Sequence, residues 1–214
     1  MEIVLAAFAG AFFSFLFVKL AENFSNIHDT KKLHYYSLLK IQTILTNHLD
    51  EIPANIEQVN SIINIEKETE KNIFITANKP LRIEFDQSVI LNLKNSDITN
   101  ELMLYICNLR RYNAVITNTN EIHSLLRNSL IQKIIGIDTY KRNFEVISST
   151  FKDINNFLEE LNIDRRRIFC MVRIRIQKDK TNIFKSIFHK LPDTNEDDFK
   201  DKVAEELKKL EKNS

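Results

Sequence analysis

Apolar residues recur every three or four positions along most of this chain, which is the spacing of one face of an α-helix. The first run comprises Leu38, Ile41, Leu45, Leu49, Ile52, Ile56, Val59 and Ile63. The second comprises Ile98, Leu102, Tyr105, Leu109, Tyr112, Ile116, Thr119, His123, Leu126, Leu130 and Ile134. The third comprises Phe144, Ile147, Phe151, Ile154, Leu158, Leu161, Ile168, Val172 and Ile176. The mean step is close to the value of about 3.5 typical of a coiled-coil seam. We therefore predict a mainly all-α fold, a long antiparallel coiled-coil-like bundle.

A few residues indicate where these helices bend or end. Pro53 lies inside the first run and predicts a kink or break near Ile52. Gly136 followed by Asp138 is typical of a C′ glycine and a new N-cap, so the second and third helices should be antiparallel neighbours. Residues 172–176 also alternate as a strand would. We favour helix there, because a lone strand would leave its backbone unpaired.

The N-terminal segment is the most apolar part of the chain. Residues 3–18 carry no charged side chain, and Lys19 is followed by Leu20 and Ala21. A bilayer-spanning helix needs about 20 residues, so we predict a transmembrane helix over 1–21 in which Lys19 snorkels to the interface. A cleaved signal peptide would need a basic start and a small-residue cleavage site. A buried soluble helix is the remaining alternative.

Basic residues near this segment predict its orientation. Lys19, Lys31 and Lys32 lie on its C-terminal side, and only the terminal amine lies on the other. Because Lys and Arg are enriched on the cytoplasmic side of a membrane, we expect a single-pass protein of the cell membrane. Its N-terminus would lie outside and the bulk of the chain in the cytoplasm.

Small residues form a stripe within the predicted span. Ala6, Gly10 and Ser14 recur every four positions, with Ala7 and Ala11 beside them. Such stripes let helix backbones approach closely in lipid, so this face predicts packing against a second copy or another membrane protein. The alternative is that small residues are simply common in membrane helices.

Residues 72–95 interrupt the helical pattern. Residues 72–76 and 81–85 favour strands, and 77–80 read as a turn, so a small β-hairpin or a loop crossover is expected at the distal tip of the first helix. The predicted organisation is an anchor (1–21), a stalk helix (22–71), the crossover (72–95), a helical hairpin (96–191), and a C-terminal amphipathic helix and tail (192–214).

Composition excludes several function classes. Average usage would give about fifteen glycines, but the chain has two, which argues against glycine-rich phosphate-binding loops and turn-rich β-sandwiches. The five histidines lack the spacing of a zinc helix, and Cys107 and Cys170 lack that of a metal or redox pair. We therefore predict no catalytic residue, cofactor or metal, and no enzyme.

Two polar features of the sequence are candidate binding sites. The densest basic segment contains Arg165, Arg166, Arg167, Arg173 and Arg175. These residues spread around a helix, so we interpret them as a solvated basic surface rather than a footprint for nucleic acid or anionic lipid.

Thr119 and His123 are polar positions within the second seam. We interpret them as structural: the threonine bonds back to its own helix and the histidine finds a partner across the seam. A pH-sensitive or ligand-binding pair is the alternative.

The net charge of +1 gives no global field toward nucleic acid or membrane, and we do not expect a nucleic-acid partner. The sequence favours a membrane-anchored helical scaffold, tether or assembly subunit that self-associates and acts through protein–protein contacts. The alternatives are a transmembrane signal-relay or regulatory subunit, and an anionic-ligand binder using residues 165–180.

Overall fold

The fold is a three-helix bundle, here in a computed structural model that describes residues 2–67, 78–185, 205 and 208. Side chains are described for residues 14–66, 78–179, 205 and 208. The helices are α1 (Glu2–Lys67), α2 (Ser96–Ile131) and α3 (Ile137–Lys185), with a short 3₁₀-helix at Gln87–Ile90. No strand occurs within the described residues. The predicted all-α class is confirmed.

The three helices do not alternate in direction along the chain. His48 of α1 contacts Tyr105 of α2, and further along the chain Glu66 of α1 contacts His123 of α2. The residue numbers increase in the same direction on both helices, so α1 and α2 are parallel. Helix α3 packs against both of them and runs the other way. Its first turn meets Glu66, and its Asp179 lies 3.4 Å from the ring of His34. The predicted antiparallel arrangement of α2 and α3 is confirmed, whereas the prediction of a bundle that is antiparallel throughout was wrong, because α1 and α2 are parallel.

The core follows the periodic apolar positions closely. Leu38, Ile52, Leu102, Tyr112 and Phe151 have no exposed surface, and most other positions of the three runs are buried. Leu49 and Ile134 are the clear exceptions, with 46% and 69% of their surface exposed. Helix α3 continues through residues 172–176, as predicted.

Helix α1 passes through Pro53 without a break, contrary to one of the two outcomes predicted there. A proline removes the hydrogen bond to the carbonyl of the residue four positions earlier, which is Leu49. That part of α1 faces solvent, because Leu49 and Pro53 are both exposed. Water can therefore bond the released carbonyl, and the helix continues.

Residues 78–95, here called the strap, run back along the bundle beside α1 and α2. The strap contacts α1 at Asn55 through Leu81, then at His48 through Glu84, and finally at His34 through Lys94. Residues 81–85 form no strand, and residues 72–77 lie outside the described part. The loop alternative predicted for this connection agrees with residues 78–95, but these residues do not stay at the distal tip: they run along α1 from Asn55 to His34, and α2 begins at that opposite end of the core.

The turn between α2 and α3 differs from the predicted one. Lys133, not Gly136, has the left-handed conformation, with φ 59°. The Ile134 N–H bonds the Ser129 carbonyl and the Lys133 N–H bonds the Leu130 carbonyl, which is the Schellman pattern. Gly136 instead precedes α3 and accepts the Tyr140 N–H at 3.0 Å. The prediction of a C′ glycine, with Asp138 as N-cap, was therefore wrong.

The predicted C-terminal amphipathic helix, 192–214, lies outside the described residues except for Glu205 and Lys208, which are helical.

Candidate functional site

The N-terminal part of α1 carries exposed apolar side chains. Every side chain from Ser14 to Asp29 is exposed, and the first buried residue is His34. The exposed apolar residues here are Phe15, Leu16, Phe17, Val18, Leu20, Phe24 and Ile27, with Phe17 and Phe24 each 70% exposed. A helix with apolar side chains around much of its circumference needs lipid or a partner to cover it. We call residues 14–33 the protruding helix.

The predicted anchor overlaps this helix only in part. The side chains of residues 1–13 lie outside the described part, including those of Ala6, Ala7, Gly10 and Ala11 in the small-residue stripe. Ser14, the last member of the stripe, is exposed. Within the described residues, no helix is long and apolar enough to span a membrane.

A buried ionic cluster joins all three helices near the end of α1. Glu66, on α1, has only 6% of its surface exposed and accepts hydrogen bonds at both carboxylate oxygens. His123 lies 3.1 Å from Oε1, Tyr140 donates to Oε2 at 2.5 Å, and Arg127 pairs with Oε1. The charge of this buried carboxylate is balanced by a buried guanidinium, and the contacts tie α1 to both α2 and α3.

Burial and neighbouring aromatic rings define the environment of this cluster. Burial raises the pKa of Tyr140 well above its ordinary value, and the neighbouring Glu66 carboxylate raises it further. The Tyr140 hydroxyl therefore stays protonated and donates its hydrogen bond. The His123 ring packs against Phe144 and Phe151, with ring centroids 5.6 and 5.8 Å away. A groove of about 520 Å³ opens beside the cluster between Glu66, Tyr140 and Lys152.

Thr119 does not take part in this cluster. Its hydroxyl donates to the Val115 carbonyl at 2.8 Å, one turn back on α2. His123 meets Glu66 across the seam. The structure therefore places these two predicted residues in different interactions.

The strap is held mainly through its backbone. Asn55 accepts the Leu81 N–H at 2.8 Å and donates to the Leu81 carbonyl at 2.9 Å. Asn113, on α2, binds Ile83 in the same two-point way, at 2.9 and 2.8 Å. Tyr112 and Asn120 donate to the carbonyls of Leu81 and Pro80. These side chains supply the bonds that a neighbouring strand would otherwise make.

His48 is the titratable residue among these contacts. Its Nε2 lies 3.0 Å from the Glu84 carbonyl, which can only accept, so Nε2 carries the proton. Its Nδ1 then accepts from the Tyr105 hydroxyl at 2.9 Å. Burial lowers the pKa of His48 from 6.5, partly offset by the Glu84 carbonyl and Glu51.

The predicted basic surface is not a continuous one. Arg165 is only 4% exposed, and it donates to Asn162 and to the Leu45 carbonyl of α1. Its placement on a solvated surface was therefore wrong, since it lies on the face of α3 that packs against α1. Arg167 pairs with Glu101 and Asp164, and Arg175 pairs with Asp179. Arg173 is exposed and Arg166 is half-buried.

The residues predicted from the sequence did not include Glu66 and Tyr140 of the ionic cluster, or Asn55, which binds the strap. Their spacing could have identified them. Glu66 follows Ile63 by three positions and so continues the α1 seam, while Tyr140 precedes Phe144 by four. Asn55 lies between Ile52 and Val59 at steps of three and four. Polar residues in phase with an apolar seam are the candidates for buried hydrogen-bonding groups.

Metal-binding and redox groupings are also absent from the residues described. No set of three His, Cys, Asp or Glu side chains there could hold a metal ion. Neither cysteine forms a disulfide; Cys107 is exposed and Cys170 is buried.

The bundle, the strap and the protruding helix together define an all-α helical-bundle protein. No protein-family model matches the chain, and no curated protein or solved structure is detectably similar to it.

Proposed function

We propose that the protein is a membrane-anchored helical tether or scaffold that acts through protein–protein contacts. The observation that carries this proposal is the continuity of α1, a 66-residue helix whose later part packs in the bundle and whose side chains from Ser14 to Asp29 are exposed. A helix rises about 1.5 Å per residue, so residues 2–33 extend about 48 Å. Because α1 is one continuous helix, a membrane or a partner protein that binds residues 2–33 would hold the bundle at a fixed distance from itself.

Lipid is the partner that best matches the start of α1. Residues 3–18 carry no charge, and apolar side chains continue to Leu20 on exposed helix surface. Lys19, paired with Glu22 at 2.8 Å, stands where the span would meet the headgroups. Lys31 and Lys32 follow and favour a bundle on the cytoplasmic side.

The first experiment tests anchoring. The full chain should stay with membranes after alkaline carbonate extraction, and a Phe12→Asp/Phe13→Asp variant should be released, because charges in the bilayer core are costly. Phe24→Asp, beyond the proposed span, is the matched control and should stay bound. Release of the unmodified chain would refute the anchor.

The second experiment tests orientation with a thiol introduced by Ile163→Cys, at an exposed position of α3. A membrane-impermeant maleimide should label this thiol only after intact cells are permeabilised. Labelling before permeabilisation would place the bundle outside.

Self-association through the anchor is a further part of this proposal. The stripe Ala6, Gly10 and Ser14, with Ala7 and Ala11, would let two spans approach closely. In a reporter of transmembrane dimerisation, Gly10→Leu should weaken the signal because its side chain separates the backbones. An unchanged signal would remove this face from the proposal.

A signal-relay role is the second candidate, and the passage of α1 through Pro53 favours it. A single helix can carry a small axial shift from membrane to bundle. Disulfide mapping between α1 and α3 with and without a candidate effector would test it, and identical patterns would count against a relay.

A further inference from the structure

The outer face of α2 carries a second apolar stripe, away from the core. Leu104, Val115, Ile122 and Leu125 are 54%, 39%, 46% and 68% exposed, and Cys107 is exposed among them. Together with Arg111 and Asn118 they recur at steps of three and four, which is the spacing of a coiled-coil seam. These seven residues are here called the outer stripe.

Charge is scarce along the outer stripe. Its single ionic member, Arg111, lies over the ring of Phe157 on α3, 5.6 Å from the ring centroid. Asn118 is neutral, and the remaining members are apolar or a thiol. Exposed apolar residues normally occur singly on a soluble surface, whereas a row at coiled-coil spacing is typical of a face that packs on another helix.

The order of residues in the outer stripe indicates that a second copy of α2 fits against it. When α2 is laid antiparallel to a second α2, Leu104 faces Leu125 and Cys107 faces Ile122, while Arg111 faces Asn118. Each apolar residue then meets an apolar residue or a thiol, and each polar residue meets a polar one. A surface that matches itself under a two-fold rotation is the requirement for an isologous dimer. A parallel pair would instead oppose Arg111 to Arg111.

We propose that the outer stripe is the interface of an antiparallel dimer of this chain, and that the dimer bridges two membrane surfaces. Helices α1 and α2 are parallel within one chain, so an antiparallel α2 pair directs the two protruding helices toward opposite ends of the dimer. Bridging rests on the membrane anchor proposed above, whereas the dimer itself does not.

Disulfide crosslinking of the full chain in mild detergent tests the register. In Ile122→Cys, the new thiol should crosslink under mild oxidation to Cys107 of a second chain. The two positions in one chain are 15 residues apart on a single helix, about 22 Å, so the bond can only join two chains. Unmodified protein, with Cys107 facing Ile122, should not crosslink.

Control variants make the outcome decisive. Ile163→Cys places a thiol at an exposed site on α3 and should not crosslink to Cys107. Leu104→Glu/Leu125→Glu should weaken dimerisation by at least about tenfold, because like charges would replace two apolar contacts, while the helical circular dichroism stays unchanged. Crosslinking of the unmodified chain would contradict the antiparallel dimer. The dimer would also be refuted if light scattering gave a monomeric mass and Ile122→Cys formed no disulfide with Cys107.

Vesicle clustering tests bridging separately from dimerisation. Phosphatidylcholine vesicles carrying the full chain should cluster, and vesicles carrying Leu104→Glu/Leu125→Glu should not, although both proteins float with the vesicles. Chains that crosslink in detergent and float without clustering the vesicles would refute bridging. Chains that crosslink but do not float would refute the anchor and leave the dimer established.

Discussion

At the scale of single residues, Glu66 is the buried carboxylate that links polar side chains of all three helices. Its carboxylate binds His123, Arg127 and Tyr140, which come from the other two helices. A buried ion pair adds little net stability over well-packed apolar residues, but loss of one partner leaves the other charge uncompensated. Removal of Glu66 should therefore destabilise the fold mainly because it takes a charged partner away from the buried Arg127, and less because the energy of the ion pair is lost.

Glu66→Ala should lower the free energy of unfolding by about 3–5 kcal/mol, because Arg127 stays buried without this carboxylate. Urea unfolding of the detergent-solubilised chain, followed by helical circular dichroism, measures the change. Glu57→Ala, at an exposed position on the same helix, should stay within about 0.5 kcal/mol. Equal effects of the two variants would show that the cluster is not structurally important.

His48 should make stability depend on pH in a defined direction. Its pKa is lowered by burial from 6.5, so as the pH falls below about 6.5 the unfolded chain binds a proton that the folded chain does not. The free energy of unfolding should therefore decrease on acidification.

The measurement compares unfolding at about pH 7.5 and pH 5, in the unmodified chain and in His48→Gln. The variant should show a shallower dependence on pH, whereas His28→Gln, at an exposed position, should leave the slope unchanged. An unchanged slope in His48→Gln would contradict the assignment of a buried neutral imidazole.

At the scale of elements, the strap depends on amide side chains from two helices. Ile83 is 1% exposed, and both its N–H and its carbonyl bond only Asn113 among the described contacts. An unpaired buried polar group costs about 1–3 kcal/mol. One asparagine therefore holds the middle of the strap against α2.

Asn113→Ala should lower the free energy of unfolding by about 2–3 kcal/mol and release the strap locally. Hydrogen exchange should show faster exchange of the Ile83 amide, while amides in the middle of α3 remain protected. Asn100→Ala, at an exposed position of α2 outside the outer stripe, is the control and should change neither. Protection of Ile83 in the Asn113 variant would show that packing alone holds the strap.

Lys133 is a second element-scale case, because a lysine has the left-handed conformation that ends α2. That conformation costs a non-glycine residue about 1 kcal/mol. Lys133→Gly should raise the free energy of unfolding by up to about 1 kcal/mol, as measured by thermal unfolding. Lys133→Ala keeps the strain and should bring no gain, so stabilisation by both variants would contradict this explanation.

At the scale of the whole molecule, the helices could be predicted from sequence but their directions could not all be. Periodicity is local, so the seams around Leu102 and Phe151 were apparent from spacing alone. The parallel pairing of α1 and α2 depends on a strap held by Asn55 and Asn113, and an asparagine that binds a distant backbone resembles any other asparagine. Arg165 resembled a surface arginine for the same reason, because its partner, the Leu45 carbonyl, lies 120 positions away.

The division between the protruding helix and the bundle leads to a prediction about the whole chain. No described side chain before Thr30 is buried or half-buried, so deletion of residues 2–27 removes none of the described core. The shortened chain should keep the free energy of unfolding of the full chain, within about 0.5 kcal/mol, and should no longer pellet with membranes. Urea unfolding in the same detergent and membrane fractionation measure the two effects.

Deletion of residues 2–45 is the matched control. It removes Leu38, Ile41 and Leu45, none of which has exposed surface in the bundle. Loss of a single buried leucine typically costs about 2–5 kcal/mol, so this longer deletion should abolish cooperative unfolding. If the shorter deletion also abolished it, the first part of α1 would be part of the fold, and the bundle could not be a separate unit carried by an anchor.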